Sequence, residues 1–476
     1  MCPWGSCPRA ACSPCSTWSP KEAAMARHCL GAAALAGLLL AAGCATVETG
    51  PDFKAVQGSL PARPGPELIW RQSQADEARA RQLVERALAG GLGPSEAAAV
   101  ALLNNRALQA AFEEIGVSKA QQVQAGLFSN PTLAALIRFP VAGQESATNL
   151  ELAASFKASE LWLVPLRRGM AEAGLQRATL EVAQQVLLTR HAALAAWLRA
   201  YYAGQIQERL QGTVATYQEL AAASQRRREF GYMTELDVYL ARDALARARL
   251  RLAEARMEQA LARAHLARVL GLGERAAEIK LAGRPPAPPQ GLPALERAVT
   301  LARAGRLDLR LARARIAEAQ RGLSLQRASV VKDLRLGLNW ERETSGSEVL
   351  GPLIETELPV FDQNQAGIAQ AQYLLRRAQK RLLAKEGEIR EQVAVDLERL
   401  RFAQHRQRVL EEQVIPLRSQ ALAFGQKWAQ LMQMDRVILL VTRRQLEEAR
   451  LEQVQAGLAA GQALNDLELH LGGRLP

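Results

Sequence analysis

The sequence has few aromatic residues and keeps its cysteines at one end. Phe, Trp and Tyr make up 5% of the 476 residues, which argues against a thick mixed core and favours long packed helices. All six cysteines lie within the first 44 residues, so the remainder holds neither a disulfide nor a thiolate metal site. Cys12 and Cys15 form a C-x-x-C, but no second pair follows at zinc spacing.

Sequence motifs of catalysis and of nucleic-acid binding are also lacking. There is no Walker loop, no H-E-x-x-H and no G-x-S-x-G, and the five histidines lie at least 65 residues apart. The net charge of +12 comes mostly from arginines spread among Glu and Gln, without a dense basic block and interleaved aromatics. We therefore predict a protein that is not an enzyme, needs no cofactor and binds no nucleic acid.

A leader precedes the rest of the chain. From Met25, where we expect translation to start, the residues "MARHCLGAAALAGLLLAAGCAT" contain one basic position and an apolar run too short for a transmembrane helix. The segment 1–43 is predicted to be leader and signal peptide. Leu40 to Cys44 resemble a bacterial lipobox, which implies a covalent lipid on Cys44 and, with Ala45 next, sorting to the outer membrane. An ordinary signal with an incidental cysteine is the alternative.

The remainder of the chain is similar to itself at a spacing of 201 residues. Leu245 to Ala248 correspond to Leu446 to Ala449, and "HLARVLGLG" corresponds to the region of "LELHLGG". The predicted organisation is an N-terminal periplasmic segment at 44–90, a first repeat at 91–282, a Pro-rich linker at 283–293 and a second repeat at 294–473.

Each repeat opens with alternating polar and apolar residues. Leu334, Leu336, Leu338 and Trp340 share one face of a predicted strand, and the other three strands alternate in the same way. Segments that are apolar on one face and polar on the other suit a membrane β-barrel; a half-buried soluble sheet is the alternative. The predicted strands are about 131–140, 149–158, 332–341 and 352–359.

Long helices follow each pair of strands. Leu180, Leu187, Leu194 and Tyr201 recur every seven residues, as in coiled coils. A helix over 166–228 would extend roughly 95 Å, and its many charges keep it in water. Because four strands cannot close a barrel in lipid, the chain has to oligomerise. The predicted helices are about 166–228, 233–270, 362–415 and 417–470.

Prolines and aromatics mark the predicted transition from strand to helix. In "ELPVFDQNQAG" the strand pattern ends and a helical one begins. Aromatic side chains prefer membrane interfaces, with core packing as the alternative for each. The predicted junction residues are Pro165, Arg167, Pro359, Phe361 and Asp362, and the predicted interface aromatics are Phe139, Phe156, Trp162 and Trp340.

Several short motifs resemble the TolC family of outer membrane factors: "NNRAL", "SNPTL", "ELPVFDQNQAGIAQAQ" and "FGYMTELDVYLARDAL". The resemblance covers about residue 90 to the end. It implies a homotrimer that forms one barrel and a periplasmic tunnel, with an adaptor protein, an inner-membrane pump and outer-membrane lipid as partners. The lipobox is similar to that of the lipid-anchored branch.

The resemblance also implies contact residues for the adaptor at the tips of two helical hairpins. Gly231 and Asp237 match the family glycine and aspartate of the first tip, although Asp237 could equally be a helix-start charge. In the second tip Asp435 is off register, and packing explains its methionines better than copper does. The predicted function is a passive efflux duct; a type I secretion duct and a lipid-anchored adaptor or scaffold are the alternatives. The predicted tip residues are Gly231, Tyr232, Met233, Thr234, Asp237, Met432, Met434 and Asp435.

Overall fold

The chain divides into two units, residues 1–47 and 48–476. Every helix and strand given below belongs to the second unit. The computed structural model describes residues 46–61, 67–139, 141, 148–289, 291–431 and 436–473.

Helices dominate this unit, and four strands interrupt them. The predicted mainly helical chain with four strands is thereby confirmed. From Pro94 onward one order of elements occurs twice: two shorter helices, two strands and two long helical arms. The helices are α1 Gly50–Ser59, α2 Gln74–Ala89, α3 Pro94–Asn104, α4 Arg106–Ala125, α5 Glu160–Glu229, α6 Glu235–Val269, α7 Leu295–Gly305, α8 Leu307–Ala328, α9 Gln365–Val409, α10 Ile415–Gln430 and α11 Arg436–His470, and the strands are β1 Thr132–Arg138, β2 Asn149–Lys157, β3 Leu334–Arg342 and β4 Glu348–Thr356.

The strands form one antiparallel sheet in the order β1-β2-β3-β4. Directly paired residues share a face of a sheet. Ala135, Leu152, Trp340 and Leu350 are paired in one row across all four strands. The alternation seen in each strand is therefore in register with that of its neighbours, and the sheet has one apolar and one polar face.

The fourth strand differs from its predicted bounds of 352–359, because it occupies Glu348–Thr356. The predicted bounds leave residues 342–351 to the turn between the third and fourth strands. In the structure the turn is short and contains Gly346 at φ +88°, a conformation that favours glycine. Pro352 then lies inside β4, which is an edge strand of the sheet within one chain, a position where a residue without an N–H group is tolerated.

Helix α5 is 70 residues long, about 105 Å at 1.5 Å per residue. It begins six residues before the predicted start at 166, and Pro165 lies inside it rather than ahead of it. A proline there removes only the hydrogen bond to the carbonyl of Leu161, near the helix start. The change from strand to helix is thus sharper than predicted, since two residues separate Lys157 from Glu160.

The centre of α5 carries the largest fully buried side chain among the described residues. Trp197 is fully buried, and its Nε1 donates to the carbonyl of Leu92 at 2.7 Å. Its ring stacks on Tyr201 with centroids 5.0 Å apart. Helices α4, α6, α8 and α11 all contact α5, which makes it the central element of the helical part.

The predicted helices 362–415 and 417–470 are corrected by the structure. The chain runs through Pro416 as one arm: α9 passes into a π-helical turn, Leu410–Val414, and then into α10. Pro416 cannot donate to the carbonyl four residues earlier, and a π turn accommodates such a gap by adding one residue. The arm ends instead at Leu431, and α11 begins at Arg436.

Equivalent close contacts occur at the ends of the two halves. Gly271, at φ +70°, lies against Asn104, and Gly472, at φ +73°, lies against Gly305. In both cases a Cβ atom would collide with the backbone of the partner. Each second contact lies 201 residues after the first, which is the spacing found in the sequence.

Candidate functional site

One face of the sheet is apolar and open. Leu133, Leu350 and Ile354 are 77%, 67% and 70% exposed in the single chain. A large contiguous apolar surface marks a contact with a partner or with lipid. The exposed large side chains of this face are Leu133, Ile137, Leu152, Phe156, Leu338, Leu350 and Ile354.

The opposite face is polar and internally paired. Arg138 contacts Glu151 at 3.3 Å and Glu341 at 3.9 Å. The side-chain amide of Asn149 donates to Glu341 at 2.8 Å, and that of Asn339 donates to Glu151 at 3.1 Å. These five side chains, which we term the strand-end cluster, lie at the end of the sheet that is farther from the long helices.

The first junction between strand and helix is held by a buried carboxylate. Glu160, the first residue of α5, accepts hydrogen bonds from the backbone N–H and hydroxyl of Ser129 at 2.5 and 2.7 Å, and pairs with Arg167 at 3.0 Å. Burial raises the pKa of Glu160, but the bonds from Ser129 and Arg167 outweigh it and lower the pKa below its ordinary value. The ionised carboxylate therefore ties the segment before β1 to the start of α5.

Of the residues predicted for this junction, Arg167 belongs to that network and Pro165 does not contribute to it. Glu160 and Ser129 were missed by sequence reasoning. Ser129 stood in the quoted "SNPTL" motif, but its partner lies 31 residues away. The sequence did offer a signal for this contact: Ser129 is a polar residue just before the first strand, and Glu160 is an acidic residue at the start of the next helix.

The second junction is built differently. Pro359, Phe361 and Asp362 lie between β4 and α9, and Asp362 does not start the helix as predicted. The helix is preceded by Asn364, which is left-handed at φ +58° and whose side-chain amide donates to the carbonyl of Gln326 at 2.7 Å. Asn tolerates this conformation better than most residues, so the bend rests on Asn364.

The first helical tip joins α5 to α6. Gly231 is left-handed at φ +76°. The Thr234 hydroxyl accepts from the Asp237 N–H at 3.2 Å, while the Asp237 carboxylate accepts from the Thr234 N–H at 3.0 Å. Hydrogen bonds from Thr234 also lower the pKa of Asp237. Asp237 thus closes a capping box, in agreement with the helix-start interpretation.

The aromatic and apolar side chains of this tip point into solvent. Phe230 and Tyr232 are 75% and 74% exposed, and Leu236, Tyr239 and Leu240 are exposed as well. Met233 is half-buried. The end of the α5–α6 hairpin is therefore a small apolar surface.

Three solved structures of outer membrane channels are similar to the chain. OprN is 18% identical over 88% of this chain and 95% of its own, with a TM-score of 0.64. MtrE of Neisseria gonorrhoeae is 18% identical over 87% and 98%, at 0.58, and CmeC of Campylobacter jejuni is 14% identical over 87% and 90%, at 0.59. The chain has the outer membrane channel fold. No family model and no curated protein matches it.

Within this channel fold, the predicted interface aromatics fall into two groups. Phe156 and Trp162 lie at the helical end of the sheet with Phe361, and all three are exposed. Phe139 is exposed at the opposite end, where Trp340 is half-buried. About 20 Å of strand separates the rows of Leu150 and Phe156 at 3.3 Å per residue.

Some predicted residues lie outside the described part of the channel fold: Cys44, Met432, Met434 and Asp435. Among the described residues, no helix is long and apolar enough to cross a membrane. Within the same ranges, no group of three His, Cys, Asp or Glu residues is arranged to hold a metal ion.

Proposed function

We propose that the protein is the outer-membrane exit duct of a tripartite efflux system. The observation that carries this proposal is the sheet: its apolar face is open, its opposite face is polar, and β2 continues into a helix about 105 Å long. Lipid outside and water inside is the environment that such alternation suits. The similarity to outer membrane channels supports the same conclusion.

The duct is proposed to contain three copies of the chain. β1 and β4 are the edges of the described sheet, and unpaired edge groups in lipid cost several kcal/mol each. Three copies give twelve strands, enough for a closed barrel. β4 of one copy would pair with β1 of the next.

The helices are proposed to form a periplasmic tunnel. α5 carries charged residues along its length and packs against α4, α6, α8 and α11. Two repeats, 91–282 and 294–473, would give each copy two such arms. The repeated order of elements and the paired contacts of Gly271 and Gly472 support this division.

The hairpin tips are proposed to contact a periplasmic adaptor, through which the duct joins an inner-membrane pump. The exposed Phe230, Tyr232 and Leu236 provide an apolar surface at the first tip, and Leu431 and Ile438 flank the second. A lipid on Cys44 would add an anchor in the outer membrane. Replacing Cys44 with Ser should abolish fatty-acid labelling, and continued labelling would refute the anchor.

Conductance tests the proposal directly. The full chain, purified in detergent, should be a heat-sensitive trimer that conducts ions in a planar bilayer. A purely helical circular dichroism spectrum without conductance would instead favour the lipid-anchored adaptor or scaffold. A neighbouring gene for a proton-driven pump favours efflux of small molecules or metal ions, and one for an ATP-driven exporter favours type I secretion.

A further inference from the structure

The charges on the polar face of the sheet are distributed unevenly along the strands. Near the helices, Lys157 and Arg335 share the carboxylate of Asp333 at 3.5 and 3.1 Å, and Glu355 lies opposite Arg335 in the ladder. Two positive and two negative groups balance there. The strand-end cluster at the other end has one arginine for two glutamates and is therefore negative.

The geometry of the strand-end cluster holds its carboxylates in place. Arg138 reaches both Glu151 and Glu341, so it neutralises only one of the two charges. Asn149 and Asn339 donate their amides to the carboxylates, and their own Oδ1 atoms are enclosed without a hydrogen-bond partner among the described residues. Unpaired carbonyl oxygens beside carboxylates add to the negative potential.

The position of the cluster follows from the chain path. Arg138 ends β1 and Asn149 begins β2, so the cluster lies next to the loop end of the sheet, away from the helices. If the protein is the duct proposed above, this end faces the exterior and the polar face lines the lumen. Three copies would then place a ring of net charge −3 near the outer mouth.

We propose that this ring makes the mouth of the barrel selective for cations, so that Arg138, Glu151 and Glu341 determine the charge of the solutes that leave. The inference rests on the proposed duct and assigns it a substrate preference. Cationic solutes are concentrated at the mouth, and anionic ones are depleted there. Arg138 sets the strength of the ring because it cancels one carboxylate in each copy.

The size of the preference follows from Coulomb's law with screening. Twelve strands about 4.8 Å apart and tilted by about 40° place the side chains about 10 Å from the axis. Three charges at that distance in water, with a Debye length of about 10 Å at 0.1 M salt, give about a fivefold ratio of cation to anion permeability. At 1 M salt, where the Debye length is about 3 Å, the ratio is close to one.

The test is the reversal potential of the purified trimer in a planar bilayer under a KCl gradient. E151Q leaves the ring neutral and should bring the permeability ratio to about one, while E151Q/E341Q should invert it to about fivefold in favour of chloride. R138Q doubles the charge and should raise the ratio to about twentyfold. Gln keeps the hydrogen-bond acceptor for the Asn amides.

Glu348→Gln is the matched control. Glu348 pairs with Arg342 on the apolar face of the same sheet, so its charge lies outside the lumen and its loss should leave the ratio unchanged. If the trimer conducts but its ratio of cation to anion permeability does not change with the Glu151, Glu341 and Arg138 substitutions, the proposed charge selectivity is overturned and the duct is not. If the unchanged protein does not conduct, the proposed duct is overturned, and the charge selectivity that rests on it is overturned as well.

Discussion

A lysine on one face of β4 should block assembly, whereas a lysine on the adjacent residue should not. Leu350 pairs with Trp340 on the apolar face, and Val349 pairs with Glu341 on the polar face. Both side chains are more than half exposed in the single chain. Replacing either side chain therefore removes little packing within the chain. The two positions differ mainly in the solvent that the barrel would place around them.

The expected cost of Leu350→Lys is about 2 kcal/mol per copy, since Leu350 lies between the middle of the apolar band and its edge. Three copies bring the cost to about 6 kcal/mol per trimer. The introduced lysine can relieve part of that cost by extending its stem so that the ammonium group reaches the headgroups. Val349→Lys meets water and the Glu341 carboxylate, so we expect almost no cost.

The assay is the temperature at which the trimer dissociates during electrophoresis, together with the fraction of protein recovered in the outer membrane. Leu350→Lys should lower both strongly, and Val349→Lys should match the unchanged protein. Equal behaviour of the two variants would show that the two faces do not meet different solvents. The barrel would then be refuted even if the fold stood.

Three further predictions concern single contacts. Glu160→Gln should lower the free energy of unfolding by about 2 kcal/mol. Because the folded pKa of Glu160 is lowered, the stabilisation that it contributes is present above the ordinary pKa of 4.5 and is lost as pH falls. The trimer stability of the variant should therefore vary less with pH over that range than that of the unchanged protein. Thr234→Ala removes a cap and should speed amide exchange in the first turn of α6 by about fivefold; an unchanged rate would argue against the capping box. Gly472→Ala forces a Cβ atom onto the backbone of Gly305 at positive φ. It should cost about 2 kcal/mol or more and lower the unfolding temperature by about 2 °C or more. Gly273→Ala, with open space around it, serves as control.

The strands could be predicted because alternation is a local property. From Leu334 to Trp340 the polarity of each residue indicates the face of the strand on which it lies. The structure pairs these residues with β2 and β4, so that side chains of like polarity share a face of one sheet. The start of β4 could not be predicted in the same way. It depends on β4 being an edge strand of the sheet that one chain forms, where a proline is tolerated, and edge position is a property of the whole sheet.

The junctions show the same limit for side chains. Pro165 and Pro416 are strong local signals for a break, yet both lie within helical arms. Pro165 is near enough to the start of α5 to remove only one hydrogen bond, and a π turn accommodates Pro416. The tie between Glu160 and Ser129 joins residues on either side of a strand pair. No periodicity connects such residues, so only the folded hairpin reveals it.

The π turn before Pro416 has a geometric consequence for the outside of the second arm. Val395 and Phe402 are exposed one heptad apart, and Leu417, Phe424 and Leu431 are exposed at the same spacing. The step from Phe402 to Leu417 is fifteen residues, which in an unbroken α-helix would turn Leu417 about 100° away from the line of the others. The inserted residue absorbs that rotation. Five apolar side chains consequently follow one seam of about 50 Å that turns by only about 20° per heptad, and the proline that interrupts the hydrogen bonds leaves the seam continuous.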